Sequence, residues 1–377
     1  MFHNVYRGKR VFVTGHTGFK GCWLCAWLLS LGAEVIGYSR DIPTSPSHFE
    51  AMHLAEHITD LRGDVRDRDA LVAAMKEARP DFVFHLAAQA LVRLSYDQPA
   101  ETFESNILGT MNVCEAVRQT PSVRSLVLIT SDKCYRNDEQ VWGYRETDHL
   151  GGYDPYSASK GCAEIVAHSY FRSFFAGGKG PACATVRAGN VIGGGDWALD
   201  RIVPDCARAW AAGESVKIRS PHATRPWQLV LEPLSGYLWL GALLYEGDTS
   251  RPFPLSGEAY NFGPAADVNN PVSDVVSALA KHWTGFTSEM DLSQQMDRKE
   301  CTLLKLCCDK ALAYLNWKAT LTFEETIRYT AEWYQRYYTG GGREESMFSF
   351  TLGQIAAYTN AAAMRGQAWI EPAGDAR

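Results

Sequence analysis

Two side chains that could exchange protons with a substrate stand four positions apart, at Tyr156 and Lys160. A predicted helix over residues 155–175 places both on one face, where the ammonium would favour the phenolate and lower the pKa of the phenol. A phenolate can take the proton of an alcohol, so the pair predicts a catalytic site that oxidises a hydroxyl group. An exposed pair without function is the alternative interpretation.

A second polar group follows a predicted buried strand at residues 125–130. Ser131 could donate a hydrogen bond to, or accept one from, a substrate hydroxyl that is being oxidised. Asp132 and Lys133 are adjacent titratable groups, and surroundings that push two such pKa values apart suit acid and base catalysis. The alternative is an ordinary polar loop, but its position at a strand end favours a catalytic role.

A glycine-rich turn lies between a β-branched run at residues 10–14 and a helical pattern at residues 22–31. Gly15 permits a tight turn, Gly18 lets the backbone approach a pyrophosphate, and Gly21 lets the helix pack on the strand. The N-terminus of that helix would face the phosphates with unpaired N–H groups and a favourable dipole. The motif therefore predicts a dinucleotide cofactor.

The residues after the second predicted strand leave the choice of cofactor open. An acid that would bind the adenosine ribose is expected here, but Ser39 and Arg40 occupy the place and Asp41 follows. Ser39 could bond a ribose hydroxyl, whereas Arg40 could meet a 2′-phosphate, so NAD and NADP are both compatible. A further strand is expected just before residue 63, and Asp64, which would follow it next to Val65, could bond the adenine amine.

Strands and helices alternate along the first half of the chain. Predicted strands occupy residues 10–14, 34–38, 81–87, 125–130 and 183–187, and predicted helices occupy residues 22–31, 69–78, 101–118 and 155–175. This alternation is typical of a parallel sheet covered on both faces. The motifs all follow strands, and ligands of such sheets bind at the carboxyl ends of the strands. We predict an α/β fold: a Rossmann-type doubly wound parallel sheet with a smaller C-terminal α/β substrate lobe.

The length of 377 residues exceeds what one hydrophobic core usually serves. We predict a dinucleotide-binding domain at residues 1–190, to which about 225–262 also contributes. Residues 191–345 would form mainly the substrate lobe, because loop-like stretches replace the regular alternation there. Residues 346–377 are predicted to be a tail with a polar end and no more than one short helix.

Composition excludes several classes of partner. The net charge of -6 leaves no basic stripe for nucleic acid, and no apolar run is long enough to span a bilayer. Ten scattered cysteines indicate reduced thiols in a cytoplasmic protein. Cys22 and Cys25 have the spacing of a redox or metal pair, but we interpret them as buried helix residues and predict no metal site.

Together these motifs resemble the extended short-chain dehydrogenase/reductase superfamily and, within it, the nucleotide-sugar 4,6-dehydratases. The resemblance runs from about residue 8 to residue 338. Its motifs are residues 15–21, 85–89, 130–135, 142–146, 151–156, 187–197 and 225–228. It implies NAD as the cofactor, a nucleotide-activated sugar as the substrate, and a homodimer or dimer of dimers formed through the helices at 101–118 and 156–175.

The resemblance also implies roles for the catalytic residues. Tyr156 would take the proton of the sugar C4 hydroxyl, Ser131 would align that hydroxyl, and Asp132 would protonate the C6 hydroxyl as it leaves. Lys133 would act as a base if neutral, or stabilise an enolate as a cation. A C4 epimerase needs the same oxidation but no acid at C6, so Asp132 with Lys133 favours dehydration. A non-catalytic cofactor sensor would be expected to lack Tyr156 or Lys160.

The remaining contacts are assigned by the same resemblance. Cofactor contacts are expected at Gly15, Thr17, Gly18, Phe19, Lys20, Gly21, Ser39, Asp64, Val65, Leu86, Ala87, Ala88, Tyr156 and Lys160. Substrate contacts are expected at Gln89, Arg93, Asn190, Arg201, Arg219 and Arg225, and Asn106 is expected to bend or hydrate its helix. The segments 299–301 and 306–310 depart from the family pattern, which leaves the nucleotide and the sugar open.

Overall fold

A seven-stranded parallel sheet forms the centre of the computed structural model, which describes residues 1–218, 220–247, 253–283, 288–290, 303–342 and 345–370. The strands are β1 Arg10–Thr14, β2 Glu34–Ser39, β3 Thr59–Arg62, β4 Phe82–His85, β5 Ser125–Ile129, β6 Ala182–Ala188, β7 Val191–Ile192, β8 Val216–Ile218, β9 Thr224–Arg225, β10 Gln228–Leu229, β11 Ala259–Phe262, β12 Asn270–Pro271 and β13 Ser288–Met290. The central order is β11-β6-β5-β4-β1-β2-β3. The predicted fold class is confirmed.

Helices cover both faces of this sheet. The α-helices of the described residues, on the sheet and elsewhere, are α1 Phe19–Ser30, α2 His48–Ala51, α3 Arg68–Ala78, α4 Val92–Asp97, α5 Pro99–Phe103, α6 Gly109–Arg118, α7 Pro155–Tyr170, α8 Ile202–Ala211, α9 Leu231–Glu246, α10 Val272–Ala280, α11 Asp309–Leu315, α12 Phe323–Thr339 and α13 Phe348–Met364. One π-helical turn, Glu104–Leu108, joins α5 to α6, and another, Phe171–Phe175, follows α7.

The strand order brings the motifs to one edge of the sheet. β1 lies between β2 and β4, so the direction of winding reverses beside it, and ligands of doubly wound sheets bind at such a point. The glycine turn follows β1, Ser131 follows β5, and Gly189 follows β6. All these strands are parallel, so their carboxyl ends form one continuous cleft floor.

Two apolar helices, α1 and α9, are buried along almost their whole length. α9 packs on β5 and β6, and its Gly236 and Gly241 lie where a side chain would collide with Phe262 or with Tyr6. The apolar residues of these two helices lie on all of their faces, because other parts of the protein pack against each helix on several sides. Among the helices that the structure describes, none combines the length and the apolar character needed to cross a bilayer.

Three small two-stranded sheets lie beyond β6 in sequence. β7 pairs with β10 and β8 with β13 in parallel, whereas β9 and β12 are antiparallel. β11 returns to the central sheet, where it extends the edge next to β6. The division into a cofactor domain and a substrate lobe at the residue limits given above stays a prediction.

The segment interpreted as a tail contains the 17-residue helix α13, which packs against α1. Thr351, Ile355 and Tyr358 of α13 are buried, and beyond it Trp369 stacks on Phe2 with ring centroids 5.1 Å apart. The apolar residues of α13 do not form one regular stripe, so periodicity alone does not mark it as part of the core.

Candidate active site

The glycine turn after β1 has room for a pyrophosphate because side chains are absent. Gly15 has φ +77°, and a Cβ there would lie 2.6 Å from the backbone nitrogen of Ala87. A Cβ on Gly21 would lie 2.1 Å from the Gly15 carbonyl oxygen. Gly18 is the N-cap of α1 and provides no side-chain cap, so the first-turn N–H groups can bind an anion. This arrangement fits a dinucleotide.

Two hydroxyl groups assigned to the cofactor are used inside the protein. The Thr17 hydroxyl donates to the Asp41 carbonyl at 2.7 Å. Ser39 Oγ is hydrogen-bonded to His16 Nδ1 at 3.0 Å, and His16 Nε2 to Asp60 at 2.8 Å. Both hydroxyl residues are buried. In this structure they therefore shape the wall of the cofactor site, and the ribose contact of Ser39 stays a prediction.

The end of β2 carries a balanced cluster of charges. Arg40 donates to Asp41 at 2.9 Å and to Glu101 at 2.8 Å. Arg66 donates through two nitrogens to Asp64, at 2.9 and 2.6 Å. Burial raises the pKa of Asp64, but hydrogen bonds from Arg66 outweigh it and leave that pKa below its usual value. The carboxylates neutralise Arg40, so this corner does not attract a 2′-phosphate.

Apolar residues expected at the cofactor line the same turn. The N–H of Leu86 donates to the Thr14 carbonyl at 3.1 Å, and the N–H of Ala87 donates to the Thr14 hydroxyl at 3.2 Å. These bonds fix the segment after β4, which includes the half-buried Ala88, against the glycine turn. Val65 is buried, and Phe19 is half-buried at the start of α1.

Tyr156 and Lys160 lie in the first two turns of α7. Asp154 caps this helix by accepting from the N–H of Ser157 at 2.9 Å. The cap fixes where the helix begins and therefore which side chains of its first two turns face the cleft. The Tyr156 phenol is buried and hydrogen-bonds with the side chain of Ser131. Lys160 Nζ lies 3.4 Å from the Ile129 carbonyl at the end of β5. The structure thus brings Tyr156, Lys160 and Ser131 together.

The expected lowering of the phenol's pKa is wrong for this structure. Burial raises the pKa of Tyr156 to about 12, and the hydrogen bond with Ser131 and the charge of Arg201 only partly oppose it. Burial also lowers the pKa of Lys160 to about 8, against the charge of Glu164. Removal of both groups from water outweighs the predicted effect of the ammonium on the phenol.

Asp132 is a buried carboxyl group at the centre of the cleft. Ser131 donates to Asp132 Oδ1 at 2.9 Å, and the backbone N–H of Lys133 donates to Ser131 Oγ at 3.2 Å. Burial raises the pKa of Asp132, although the charge of Lys133 opposes it. A Cβ on Gly189 would lie 3.2 Å from Asp132 Oδ2. Asp132 is therefore suited to hold a proton and donate it.

Three cations, Lys133, Lys20 and Arg225, act on this carboxyl group, and Arg201 lies near Lys20. Burial lowers the pKa of Lys20 to about 8, helped by the charge of Arg201 and opposed by that of Asp132. Arg225 is buried, and its charge lowers the pKa of Asp132. Arg201 donates to Asp196 at 2.8 Å. Lys20, assigned to the cofactor, thus acts electrostatically on the catalytic residues, and the cluster has the charge that a diphosphate needs.

Two other predicted residues organise a loop. The Gln89 side-chain amide donates to the Leu91 carbonyl at 3.0 Å and to Thr102 at 2.9 Å. Asn106, inside the π-helical turn, accepts from the N–H of Gln89 at 2.8 Å and donates to Ser159 at 2.8 Å. Asn106 therefore joins a distorted helix to α7, whereas the Gln89 amide is engaged with its own loop rather than presented to a substrate.

The remaining substrate residues are placed as follows. Arg93 of α4 pairs with Asp200 at 3.2 Å across the cleft rim. Asn190 is half-buried after β6, and its carbonyl accepts from the N–H of Gln228 at 3.2 Å. Arg219 lies outside the described residues, and so does the divergent segment 299–301.

The other divergent segment packs beneath the catalytic loop. The Cys307 N–H donates to the Tyr144 carbonyl at 2.9 Å, and Asn261 donates to the Cys307 carbonyl at 3.1 Å. Tyr144 stacks on Tyr135 with centroids 5.2 Å apart. The backbone carries these contacts, so the departure at Cys307 from the family pattern leaves the packing intact.

A buried ion pair behind the site was not predicted. Arg187 donates two hydrogen bonds to Glu164, at 2.9 and 2.8 Å, and a third to the Tyr135 hydroxyl at 2.7 Å. Glu164 also accepts from the hydroxyls of Thr130 and Thr185. Glu164 lies one turn after Lys160, so its position on the same face of α7 could have marked it as a residue of the site. Its partner Arg187 lies on β6, and only the fold brings the two together.

Glu164→Gln should destabilise the protein by about 3–5 kcal/mol, because it leaves the Arg187 charge buried without its partner. Urea unfolding, followed by circular dichroism, measures this loss. Glu332→Gln removes a carboxylate from the exposed Arg328 pair on α12 and should change stability by less than about 1 kcal/mol. Equal losses in the two variants would contradict the structural role of Glu164.

A glycine turn, a Tyr-x-x-x-Lys pair on a helix and a strand-end serine meet at one edge of a doubly wound sheet. This is the site of an extended short-chain dehydrogenase/reductase. The chain belongs to the GDP-mannose 4,6 dehydratase family, whose model matches residues 12–330. It is 44% identical over 362 residues to the CDP-glucose 4,6-dehydratase of Salmonella typhimurium, covering 95% of this chain and 98% of that protein.

Solved structures resemble the whole fold. MoeE5 in complex with UDP-glucose and NAD has a TM-score of 0.69 and 25% identity, and the match covers 87% of this chain and 99% of that one. The dTDP-glucose 4,6-dehydratase of Bacillus anthracis in complex with NAD has a TM-score of 0.68 and 18% identity, over 87% and 97% of the two chains. At 18% identity the second likeness concerns the fold alone.

Proposed function

We propose that this protein is an NAD-dependent dehydratase that converts CDP-glucose to CDP-4-dehydro-6-deoxy-glucose and water. The observation that carries the proposal is the 44% identity, over 95% of the chain, to a protein of that name. The cleft chemistry supports it: Asp132, a buried acid with a raised pKa, lies beside the Tyr156 and Ser131 pair. Oxidation at C4 alone would not need that acid.

Tyr156, Asp132 and Lys133 divide the proton transfers, and Ser131 orients the substrate. Tyr156 takes the proton of the C4 hydroxyl while Ser131 holds that oxygen in line, and the C4 ketone then acidifies the C5 proton. The C5 proton passes to Lys133, the candidate base beside Asp132, while Asp132 gives its proton to the C6 oxygen, so one water leaves as the C5–H and C6–O bonds break. NAD, when bound, would supply the hydride acceptor for oxidation at C4 and the hydride donor for reduction at C6. A proton added at C5 completes a sequence without net oxidation.

The described residues fit NAD without a further group. The glycine turn and the first turn of α1 would hold the pyrophosphate, and Lys160 would reach the nicotinamide ribose. The positive charge of oxidised nicotinamide would favour the Tyr156 phenolate, which opposes the effect of burial on the phenol's pKa. Lys20 and Arg225 supply charge for the substrate diphosphate.

The test is incubation of the purified protein with CDP-glucose and, separately, with dTDP-, GDP- and UDP-glucose, followed by mass spectrometry. Loss of one water from CDP-glucose, without added reductant, is expected. Unchanged mass with an isomerised sugar would indicate a C4 epimerase instead. Loss of water only from another nucleotide sugar would contradict the nucleotide assignment while keeping the dehydratase chemistry.

We expect NAD to bind more tightly than NADP, because Asp41, Glu101 and Asp64 surround Arg40. Glu101→Gln removes one of these charges. The ratio of the Kd for NADP to the Kd for NAD should then fall roughly threefold to tenfold, equivalent to ~1 kcal/mol. Titration of both cofactors, followed by protein fluorescence, gives the two Kd values. Glu115→Gln on α6 is the matched control, and a ratio that shifts equally in both variants would contradict the role of the cluster.

Two copies are proposed to pair through α5, α7 and the two π-helical turns that follow them. Phe103, Leu108, Ile165 and Phe174 are exposed apolar side chains on these segments. Sedimentation velocity should give the mass of a dimer, and a monomer at micromolar concentration would contradict the pairing. Assembly beyond a dimer and a location in the cytoplasm stay predictions.

A further inference from the structure

A buried carboxylate that has no place in the chemistry proposed above stands in the loop between β7 and α8. Asp196 Oδ1 accepts from the N–H of Ala198 at 3.0 Å, and Oδ2 accepts from Arg201 Nη1 at 2.8 Å. The Asp196 side chain is 5% exposed, whereas that of Arg201 is 38% exposed. Arg201 therefore extends from a buried anchor towards the open cleft.

Arg201 is poorly placed without that anchor. It is the N-cap of α8, and its side chain makes no capping hydrogen bond. The positive end of the helix dipole disfavours a cation at this position. Charge repulsion from Lys20 adds to this, as the effect of Arg201 on the pKa of Lys20 indicates. The Asp196 carboxylate offsets both effects.

Helix α12 fixes the backbone of the loop from outside the cleft. The Tyr334 hydroxyl donates to the Asp196 carbonyl. The Trp197 indole N–H donates to the Tyr338 hydroxyl oxygen at 2.9 Å, and the ring lies edge-on to Trp333 with centroids 5.5 Å apart. An aromatic wall thus holds the carboxylate, and the carboxylate holds the arginine.

The groups near the Tyr156 phenol come from four segments, one of which is α9 with the buried phenol of Tyr237. Ser131 hydrogen-bonds with the Tyr156 phenol, Asp132 lies on the same turn as Ser131, and Asp154 caps its own helix. Both aspartates raise the pKa of the phenol. Arg201 is the cation that acts most on the phenol among the described residues, and it lowers that pKa.

We propose that Asp196 is a positioning residue, which holds the Arg201 guanidinium in the cleft beside Tyr156 for both substrate binding and removal of the phenolic proton. This inference rests on the function proposed above. Asp196 acts only through Arg201 and does not touch the reacting atoms. Its loss should therefore affect binding and the pH dependence of C4 oxidation together.

The experiment compares Asp196→Asn, Arg201→Gln and the double variant with the wild type on CDP-glucose. Asp196→Asn should lower kcat/KM about tenfold or more, since an arginine loses a charged partner. The single-turnover pH profile of C4 oxidation should move to higher pH, because the phenol loses a neighbouring cation. The double variant should be no slower than Arg201→Gln, since both changes break one link. Asp196→Glu should recover part of the rate.

Several outcomes would overturn the proposal. An unchanged profile in Asp196→Asn, or multiplied losses in the double variant, would show that Asp196 does not act through Arg201. Glu332→Gln, on the exposed face of α12, is the control and should match the wild type. If Asp196→Asn does not fold, Tyr334→Phe tests the same link and should give a smaller shift in the same direction. A wild type that does not dehydrate CDP-glucose contradicts the proposed function instead, and it is measured first.

Discussion

Tyr156→Phe should slow water loss from CDP-glucose roughly 10³-fold, within the range that a positioned acid or base contributes. The change removes only the hydroxyl that would take the C4 proton and keeps the ring that fills the buried site. No reduced cofactor should form on mixing, as measured by nicotinamide absorbance in a stopped-flow instrument. Substrate affinity should change little, because the diphosphate is held by other residues.

The pH dependence of the wild type makes this prediction more specific. The pKa of Tyr156 lies above its usual value, so the ionised fraction of the phenol grows as pH rises. The rate of C4 oxidation should therefore increase on the alkaline side of neutrality, and Tyr156→Phe should lose this dependence. Tyr170→Phe makes the same change at the end of the same helix and should keep the wild-type profile. A Tyr156→Phe variant with the wild-type rate would refute the catalytic assignment.

Asp132→Asn should separate the two halves of the reaction. Water loss should fall about 10²- to 10³-fold because the C6 oxygen no longer receives a proton, while C4 oxidation continues. A 4-keto sugar that has lost two hydrogens, together with reduced cofactor, should accumulate. Mass spectrometry after borodeuteride trapping distinguishes this product from the dehydrated one.

The elimination step should become slower as pH rises, whereas the oxidation step should become faster. Asp132 must be protonated to act, and burial raises its pKa, so the elimination step should weaken as pH rises above that value. Asp138→Asn changes an exposed acid that pairs with Arg136 and serves as the control. If both partial reactions slow equally in Asp132→Asn, the carboxyl group is structural and the acid assignment fails.

The central sheet could be predicted because its strands are short apolar runs that each end at a polar motif. β1 and β4 were predicted to within two residues, and β5 to within one. The parallel order follows from the alternation with helices, so the convergence of Gly15, Ser131 and Tyr156 was also predictable. The spacing of Tyr156 and Lys160 places both side chains on one face of their helix whatever that helix packs against, so this part of the site follows from local sequence.

The electrostatics could not be predicted in the same way. The spacing of Tyr156 and Lys160 suggested a lowered pKa for the phenol, but burial depends on segments far away in sequence and reversed the direction. The Asp196–Arg201 pair lies in a loop, where no periodicity indicates which side chains meet. The bond of Ser39 to His16 could not be predicted either, because it requires β2 and the glycine turn to be adjacent in space.

The stacking of Phe2 on Trp369 has a consequence for how the chain folds during synthesis. Trp27 of α1 contacts both of these rings. The outer surface of α1 is therefore covered in part by Trp369, which is synthesised more than 300 residues after Trp27. Contacts this distant in sequence form late and leave apolar surface uncovered in the meantime. The nascent cofactor domain should therefore depend on chaperones or on rapid completion, and deletion from Phe348 onwards should yield aggregates rather than a smaller active enzyme.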